Sequence, residues 1–310
     1  MNGGSLADGR VHIVLRTKDR PTLLARALDD LLAQRHRAWT LTVVNDGGDS
    51  AAVDRLLADR DPAFAARASV IHNPTSLGME AAANQGVRAA DAPYVAIHDD
   101  DDTWHPEFLE RTAAWLSAHP EAPAVASRTE IIWERAHRTG FEEISREVFL
   151  PQLQQVTLAD LLRFNTCVPI SMLYRTSSLR DVGLFDESLL VTGDWECNIR
   201  LAVTGPIGFL GDEPLAYWHQ RPGAAGELGN SVIALKDDHR IADRLVRDRA
   251  LRVSAQHGEL GLSLYLTRFL DDRFDELHRR IEHLEAVAGD TFFRRAKSAV
   301  RRVIARGPRA

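Results

Sequence analysis

An α/β fold is predicted for this 310-residue chain: a mostly parallel sheet with helices on its faces, followed by a helical C-terminal extension. Three observations carry it. From Val11 onward, short β-branched runs alternate with segments of helical period, the pattern of strands joined by crossover helices. Polar clusters directly follow three of the apolar runs, where ligand-binding loops gather in an open α/β sheet. Strand signals then stop at about residue 235.

In chain order, VHIVLR (11–16) reads as the first strand. A helix follows over 21–34, with Pro21 at its first position and Leu24, Ala27, Leu28, Leu31 and Leu32 on one face. TLTVV (40–44) and SVIH (69–72) read as further strands, and 78–90 as a helix of small residues able to approach the sheet closely. PYVAIH (93–98) is the expected buried central strand, followed by a helix over 106–118. The stretch to about 165 carries no clear period and is expected to hold loops and excursions. PISMLY (169–174) resumes strand character, and a helix over about 194–203 ends at Gly205-Pro206. The domains expected are a tail at 1–10, a catalytic-type α/β domain at 11–234 and a helical extension at 235–310.

Composition narrows the class. With 45% hydrophobic and 26% charged residues the chain is an ordinary globular protein, and a net charge of −6 excludes a general nucleic-acid binder. Cys167 and Cys197 form no CxxC pair, which points to a reducing compartment, the cytoplasm by default. The opening MNGGSLADGR has no basic and apolar leader, and no apolar run reaches the roughly 18 residues of a membrane span.

In the extension, Leu270, Phe274, Leu277, Ile281 and Leu284 recur at spacings of four and three. Such a stripe packs on its own domain or forms a homodimeric coil. The last twenty residues hold seven Lys or Arg and no acid, with apolar side chains near one helical face. That composition suits a helix lying on an anionic membrane, or a solvated basic tail. An enzyme so equipped would work at the inner face of the cytoplasmic membrane.

The polar clusters are residues 17–20, 45–49 and the four consecutive aspartates 99–102. The chain has no GxGxxG helix opening and no phosphate loop ending in Gly-Lys-Ser/Thr, so a carboxylate-bound divalent metal, Mg²⁺ or Mn²⁺, is the expected diphosphate holder. Two carboxylates about 4 Å apart repel by about 4 kcal/mol at an effective dielectric of 20, so a partly buried aspartate run needs a cation. Alternation puts Asp99 and Asp101 on one face and Asp100 and Asp102 on the other, serving the turn and the next helix.

These segments together resemble the family-2 glycosyltransferases of GT-A fold, over about residues 11–220. IVLRTKDRPTLLARAL, VVNDGGDS, the block NPTSLGMEAAANQGVRAADAPYVAIHDDDDTWHPEFLE and LRDVGLFDESLLVTGDWECNIRLAVTG fall in the family's order. The resemblance implies that Thr17, Asp19, Asp46, Asn84, Asp99 and Asp100 bind nucleotide-sugar, with Asp46 accepting from N3–H of uracil or thymine. It implies that Asp101 holds the metal and that Asp194 is the catalytic base. It makes 214–231 a loop closing over the donor, from which His219 would reach the metal or diphosphate and Trp218 would stack on a sugar.

The chain departs from the pattern at Arg16, Asp19, Asn45, Ala83 and Gly193, where Pro, Asn, Asp, Arg and Glu are usual. The activity implied is inverting transfer from a UDP- or dTDP-sugar to a glycan or lipid-linked acceptor. The alternatives are a nucleotidyltransferase of sugar phosphates, which would carry a glycine-rich basic loop after the first strand, and a non-catalytic nucleotide-sugar or glycan-binding protein on the same fold.

Overall fold

The computed structural model describes residues 9–137, 140–222 and 236–304, with side chains followed from 237 to 286 in the last stretch. The chain divides into two units, Met1–Arg244 and Leu245–Ala310. Residues 1–8 of the tail expected at 1–10, and residues 223–235, lie outside the described residues.

The first unit opens with β1 (Val11–Thr17), α1 (Pro21–Ala33), β2 (Trp39–Asp46), α2 (Ser50–Ala58), α3 (Pro62–Ala65) and β3 (Ala68–Asn73). It continues with α4 (Met79–Ala89), β4 (Tyr94–Asp99), the short β5 (Thr103–Trp104) and α5 (Phe108–Ala118). The stretch expected to hold loops contains three strands, β6 (Ala124–Ser127), β7 (Thr129–His137) and β8 (Gly140–Val148). Strand β8 has no apolar alternation to read because most of its residues are exposed, and β6 is only four residues long. Then come α6 (Leu158–Arg163), a 3-10 turn at Pro169–Ser171, β9 (Met172–Arg175), α7 (Thr176–Asp181) and α8 (Gly193–Thr204). Next are β10 (Ile207–Leu210), β11 (Ala216–Gln220) and α9 (Lys236–Gln256). The start of the expected closing loop is therefore strand β11, and the remainder, 223–231, lies outside the described residues.

The main sheet has the order β10-β6-β9-β4-β1-β2-β3. Only β9 runs against its neighbours, pairing antiparallel with both β4 and β6. Such a sheet is covered on both faces, and the strands read accordingly: Val11, Ile13, Val14 and Leu15 are all fully buried. On one side α1 supplies Leu24, Ala27, Leu28 and Leu31 to the core. On the other, α4 lies so close that a Cβ on Gly86 would overlap Val14, which explains its small residues. A second sheet, β5-β11-β7-β8, stands beside the first.

The second unit includes α10 (Leu260–Ile304), whose Leu270, Phe274, Leu277, Ile281 and Leu284 are all exposed. Side chains of the basic tail, 291–310, lie outside the described residues. Among the described residues no helix is long and apolar enough to cross a membrane.

Candidate active site

Parallel pairing in register puts the polar ends of β1, β2 and β4 side by side. Arg16 is paired with Asp99, and Asp46 with Asn73. Each register pair is also a side-chain pair. The Arg16 guanidinium donates to Asp99 Oδ1 through Nε at 2.8 Å and pairs with it through Nη2 at 2.5 Å. Asn73 Nδ2 donates to Asp46 Oδ1 at 2.9 Å.

Two cavities meet at this edge. The outer one, about 520 Å³, is lined by Thr17, Asp19, Arg20, Asp46, Asp100 and neighbours. That volume lies in the range of small-molecule sites. The inner one, about 230 Å³, contains Asp194, Asn165, Trp218 and Phe149. Arg16, Met79, Asp99 and Asp101 line both, so Asp99 and Asp101 form a common wall. Asp100 and Asp102 are buried while Asp99 and Asp101 are partly exposed, yet all four line the cavities, Asp100 the outer, Asp102 the inner and the other two both.

Asp100 accepts from Thr17 Oγ1 at 2.7 Å and Arg20 Nη1 at 3.1 Å. Burial and the charge of Asp101 push its carboxyl up to about 7, against the pull of Arg20 and Thr17. Asp102 Oδ1 accepts from the His219 backbone N–H at 2.9 Å, and burial raises its carboxyl well above the ordinary range. Asp101 Oδ2 accepts from Arg221 Nη2 at 2.8 Å and stands 3.5 Å from Arg20.

Glu134 anchors this arrangement from behind. The ladder between β7 and β8 shifts register at Trp133/Glu134, an irregularity of the kind that re-aims a side chain. Glu134 there accepts from Arg26 at 3.0 Å, from Arg221 Nη1 at 2.6 Å and from His219 Nδ1 at 2.9 Å. Burial would raise this carboxyl, but His219, Arg26 and Arg221 hold it down at about 2.

Asp194 stands in the first turn of α8 with Oδ2 accepting from Asn165 Nδ2 at 2.6 Å. Burial raises its carboxyl above the ordinary range, with Asn165, the Trp195 N–H and Arg16 opposing. Three further polar atoms on the inner cavity's residues, Thr192 Oγ1, Gln220 Nε2 and His239 Nε2, are buried without hydrogen-bond partners. Buried groups of that kind are normally paired, and hydroxyls of a bound sugar are suitable partners.

The structure therefore gathers Thr17, Asp19, Asp46, Asp99, Asp100, Asp101 and Asp194 around one edge. Three of the residues given roles at the site have other partners in the fold. Asn84 lies on neither cavity: its Nδ2 donates to Phe185 O and Glu187 Oε1 while its Oδ1 accepts from Phe185 N–H, a buried clasp on a neighbouring loop. His219 pairs through Nε2 with Thr103 Oγ1 at 2.8 Å and through Nδ1 with Glu134 Oε2 at 2.9 Å. Asp46 accepts from Asn73, Ser76 Oγ and the N–H groups of Leu77 and Gly78, which hold its pKa down against burial. Those four bonds tie the 73–78 loop to the wall of the outer cavity. The important residues not read from sequence are Glu80, Glu134, Asn165 and Arg221; Arg16 stood out only as a departure.

A divalent metal fits these donors. Asp99 and Asp101 offer carboxylate oxygen at the common wall, the chemistry of a hard cation. Among the described residues no group of three or more His, Cys, Asp or Glu is arranged to hold a metal alone. Such an ion would complete its shell from a substrate diphosphate, as Mg²⁺ commonly does.

The model of glycosyl transferase family 2 matches residues 12–183. Among curated relatives, the uncharacterized glycosyltransferase YwdF of Bacillus subtilis (strain 168) is 28% identical over 194 residues, 62% of this chain and 68% of YwdF. The putative colanic acid biosynthesis glycosyl transferase WcaA of Escherichia coli (strain K12) is 32% identical over 101 residues, 32% of this chain and 35% of WcaA. Among solved structures, S. aureus TarS 1-349 in complex with UDP-GlcNAc is 19% identical, with a TM-score of 0.52 over 69% of this chain and 60% of that one. The mannosyltransferase PcManGT from Pyrobaculum calidifontis, in complex with GDP-Man and Mn²⁺, is 18% identical, with a TM-score of 0.55 over 78% of this chain and 64% of that one. At those identities the structures share the fold.

Proposed function

Because this chain belongs to glycosyl transferase family 2, we propose that it is an inverting, metal-dependent enzyme moving a sugar from a nucleoside diphosphate donor to the hydroxyl of a glycan or lipid-linked acceptor. The observation that carries this reading is the half-buried carboxylate of Asp194 in the same cavity as Asp99 and Asp101. The nucleotide would occupy the outer cavity and the sugar the inner one, so that the bond to be broken lies at the aspartate wall. The relatives' bound UDP-GlcNAc and GDP-Man, and the Mn²⁺ in one of them, support donor and metal of this class.

Asp101, with Asp99 beside it, would hold the metal, which when bound supplies charge stabilisation to the departing diphosphate. Asp194 accepts the acceptor hydroxyl's proton as its oxygen bonds to the anomeric carbon and the carbon–diphosphate bond breaks. One displacement on the face opposite the leaving group inverts the configuration. Asn165 holds the Asp194 carboxylate in place, and Thr192, Gln220 and His239 offer hydrogen bonds to sugar hydroxyls. Arg20 and Arg221, now on Asp101, are positioned to follow the diphosphate's charge. A UDP- or dTDP-sugar is the expected donor.

The same reading includes a homodimer along α10 and peripheral contact of residues 291–310 with anionic membrane, at the cytoplasmic face. The exposed stripe from Leu270 to Leu284 supports the first, and the tail's seven cationic residues without an acid support the second.

A thermal-shift panel of UDP-GlcNAc, UDP-glucose, dTDP-glucose and GDP-mannose, each with and without Mn²⁺, tests the donor class. A ligand at 100 times its Kd stabilises by about 2.7 kcal/mol. A shift needing both metal and one nucleotide-sugar is expected; no shift with any of them removes the reading.

A further inference from the structure

Resting on that function, the geometry points to Glu80 as a positioning residue for Asp194: from α4 it caps the N-terminus of α8 and supplies the acidic group that position 193 lacks.

Helix α8 begins without help from its own cap residue. Thr192 occupies that position, where a threonine hydroxyl normally accepts from the first turn. Here Thr192 is left-handed, at φ 66°, makes no side-chain capping bond, and its buried Oγ1 has no partner. Gly193 N–H instead donates to Glu80 Oε1 at 3.0 Å, across 113 residues of sequence.

Glu80 and a side chain at 193 exclude each other. A Cβ on Gly193 would lie 2.5 Å from both Cδ and Oε1 of Glu80. Glycine at 193 is thus the condition for Glu80 to reach the helix, and the glutamate usual at 193 in the resembled family is replaced in space by one from α4. The substitution keeps a carboxylate next to Asp194 while changing the element that carries it.

The Glu80 carboxylate has 6% of its surface exposed and sits 3.7 Å from Arg16 Nη1. Arg16 in turn holds Asp99 and donates to Met79 O at 3.0 Å. A path of contacts therefore runs from the aspartate wall through Arg16 and Glu80 to the residue before the base. The charged groups acting on Glu80 are Arg16 from β1, Asp99 from β4 and Asp194 from α8, with the Gly193 N–H as its hydrogen-bond donor.

Three variants of the full chain test this, using release of nucleoside diphosphate with Mn²⁺ from whichever of the four nucleotide-sugars wild type binds. Glu80→Ala removes cap and charge, and its kcat should fall roughly tenfold or more with the donor KM within about threefold. Glu80→Gln keeps an oxygen able to accept from the Gly193 N–H. Its kcat should therefore stay within about threefold of wild type, a rescue that separates the capping bond from mere filling of space. In Glu80→Ala with Gly193→Glu the vacated space receives a carboxylate from position 193, and most of the lost kcat should return.

A Glu80→Ala enzyme with wild-type kcat, a Glu80→Gln enzyme as slow as Glu80→Ala, or a double variant no better than Glu80→Ala would each overturn the role while leaving the glycosyltransferase reading intact. A wild-type protein that binds none of the nucleotide-sugars would remove both.

Discussion

Asp194 illustrates how a single carboxylate is tuned by surroundings that its own sequence neighbourhood does not reveal. Burial raises its pKa while Asn165, the Trp195 N–H and Arg16 moderate the rise. A base must be ionised to work, so a raised pKa moves the loss of activity on acidification to higher pH than an ordinary carboxylate would give. The kcat–pH profile checks this. Asp194→Asn should reduce kcat by about 10²–10⁴, the range of general-base contributions, while the nucleotide-sugar thermal shift is retained. Undiminished turnover would remove Asp194 as the base. Glu80 carries a prediction for stability as well. Its carboxyl is raised from 4.5 to about 7, chiefly by burial, so the folded state binds its proton more tightly than the unfolded one. Stability from this group is fully present below about 4.5 and is lost as pH rises through about 7. The melting temperature should therefore decline across that interval, and decline less steeply in Glu80→Gln. The aspartate run could be read from sequence because it directly follows a buried strand, and Asp194 was singled out by the family resemblance alone. The engagements of His219, Asn84 and Asp46 could not, since whether a polar side chain is already satisfied depends on partners far along the chain.

Elements carry the next set of consequences. The left-handed Thr192 at the start of α8 is a β-branched residue in a conformation that costs such side chains about 1–3 kcal/mol. Thr192→Gly should therefore stabilise the protein by about 1 kcal/mol after glycine's own entropic cost, as measured by urea unfolding. A decrease in the unfolding midpoint would contradict the strain. Strand β7 shows the opposite case, an irregularity that stabilises. Glu134 takes charge from Arg26, Arg221 and His219, and the Arg221 side chain has only 1% of its surface exposed. Glu134→Ala leaves that guanidinium short of its partner and should cost about 3–5 kcal/mol in the same unfolding experiment. Neither β7 nor β8 was evident from periodicity, because charged side chains that pair across the strands replace the apolar alternation by which strands are recognised. Arg146 on β8 makes such a pair with Glu130 on β7.

For the molecule as a whole, the proposed assembly and location rest on the C-terminal unit. Five large apolar side chains from Leu270 to Leu284 remain between 45% and 65% exposed, and a second copy is the proposed cover. Replacing Leu277 and Ile281 together by Lys should convert a dimer into a monomer in sedimentation equilibrium; a wild-type protein that is monomeric throughout would dispose of the coil. Deleting residues 291–310 should abolish co-sedimentation with phosphatidylglycerol vesicles and leave nucleotide-sugar binding unchanged. Equal sedimentation of the two forms would assign the tail to solvent.

The sheet's principal strands, its covering helices and the carboxylates at its edge were recoverable from residues in order, because hydrophobic period and chain punctuation are local properties. Val11 to Leu15, the α1 stripe and the small residues of α4 each announce their surroundings within a few positions. What needed the folded chain was the set of partners: Arg16 on Asp99 through parallel register, Glu80 on Gly193 through the approach of two helices, and Glu134 on Arg221 through the second sheet. Those pairs span 83, 113 and 87 residues. Burial, charge compensation and hydrogen-bond satisfaction are properties of a volume, and in this molecule the volume around the proposed base is filled from four separate parts of the chain.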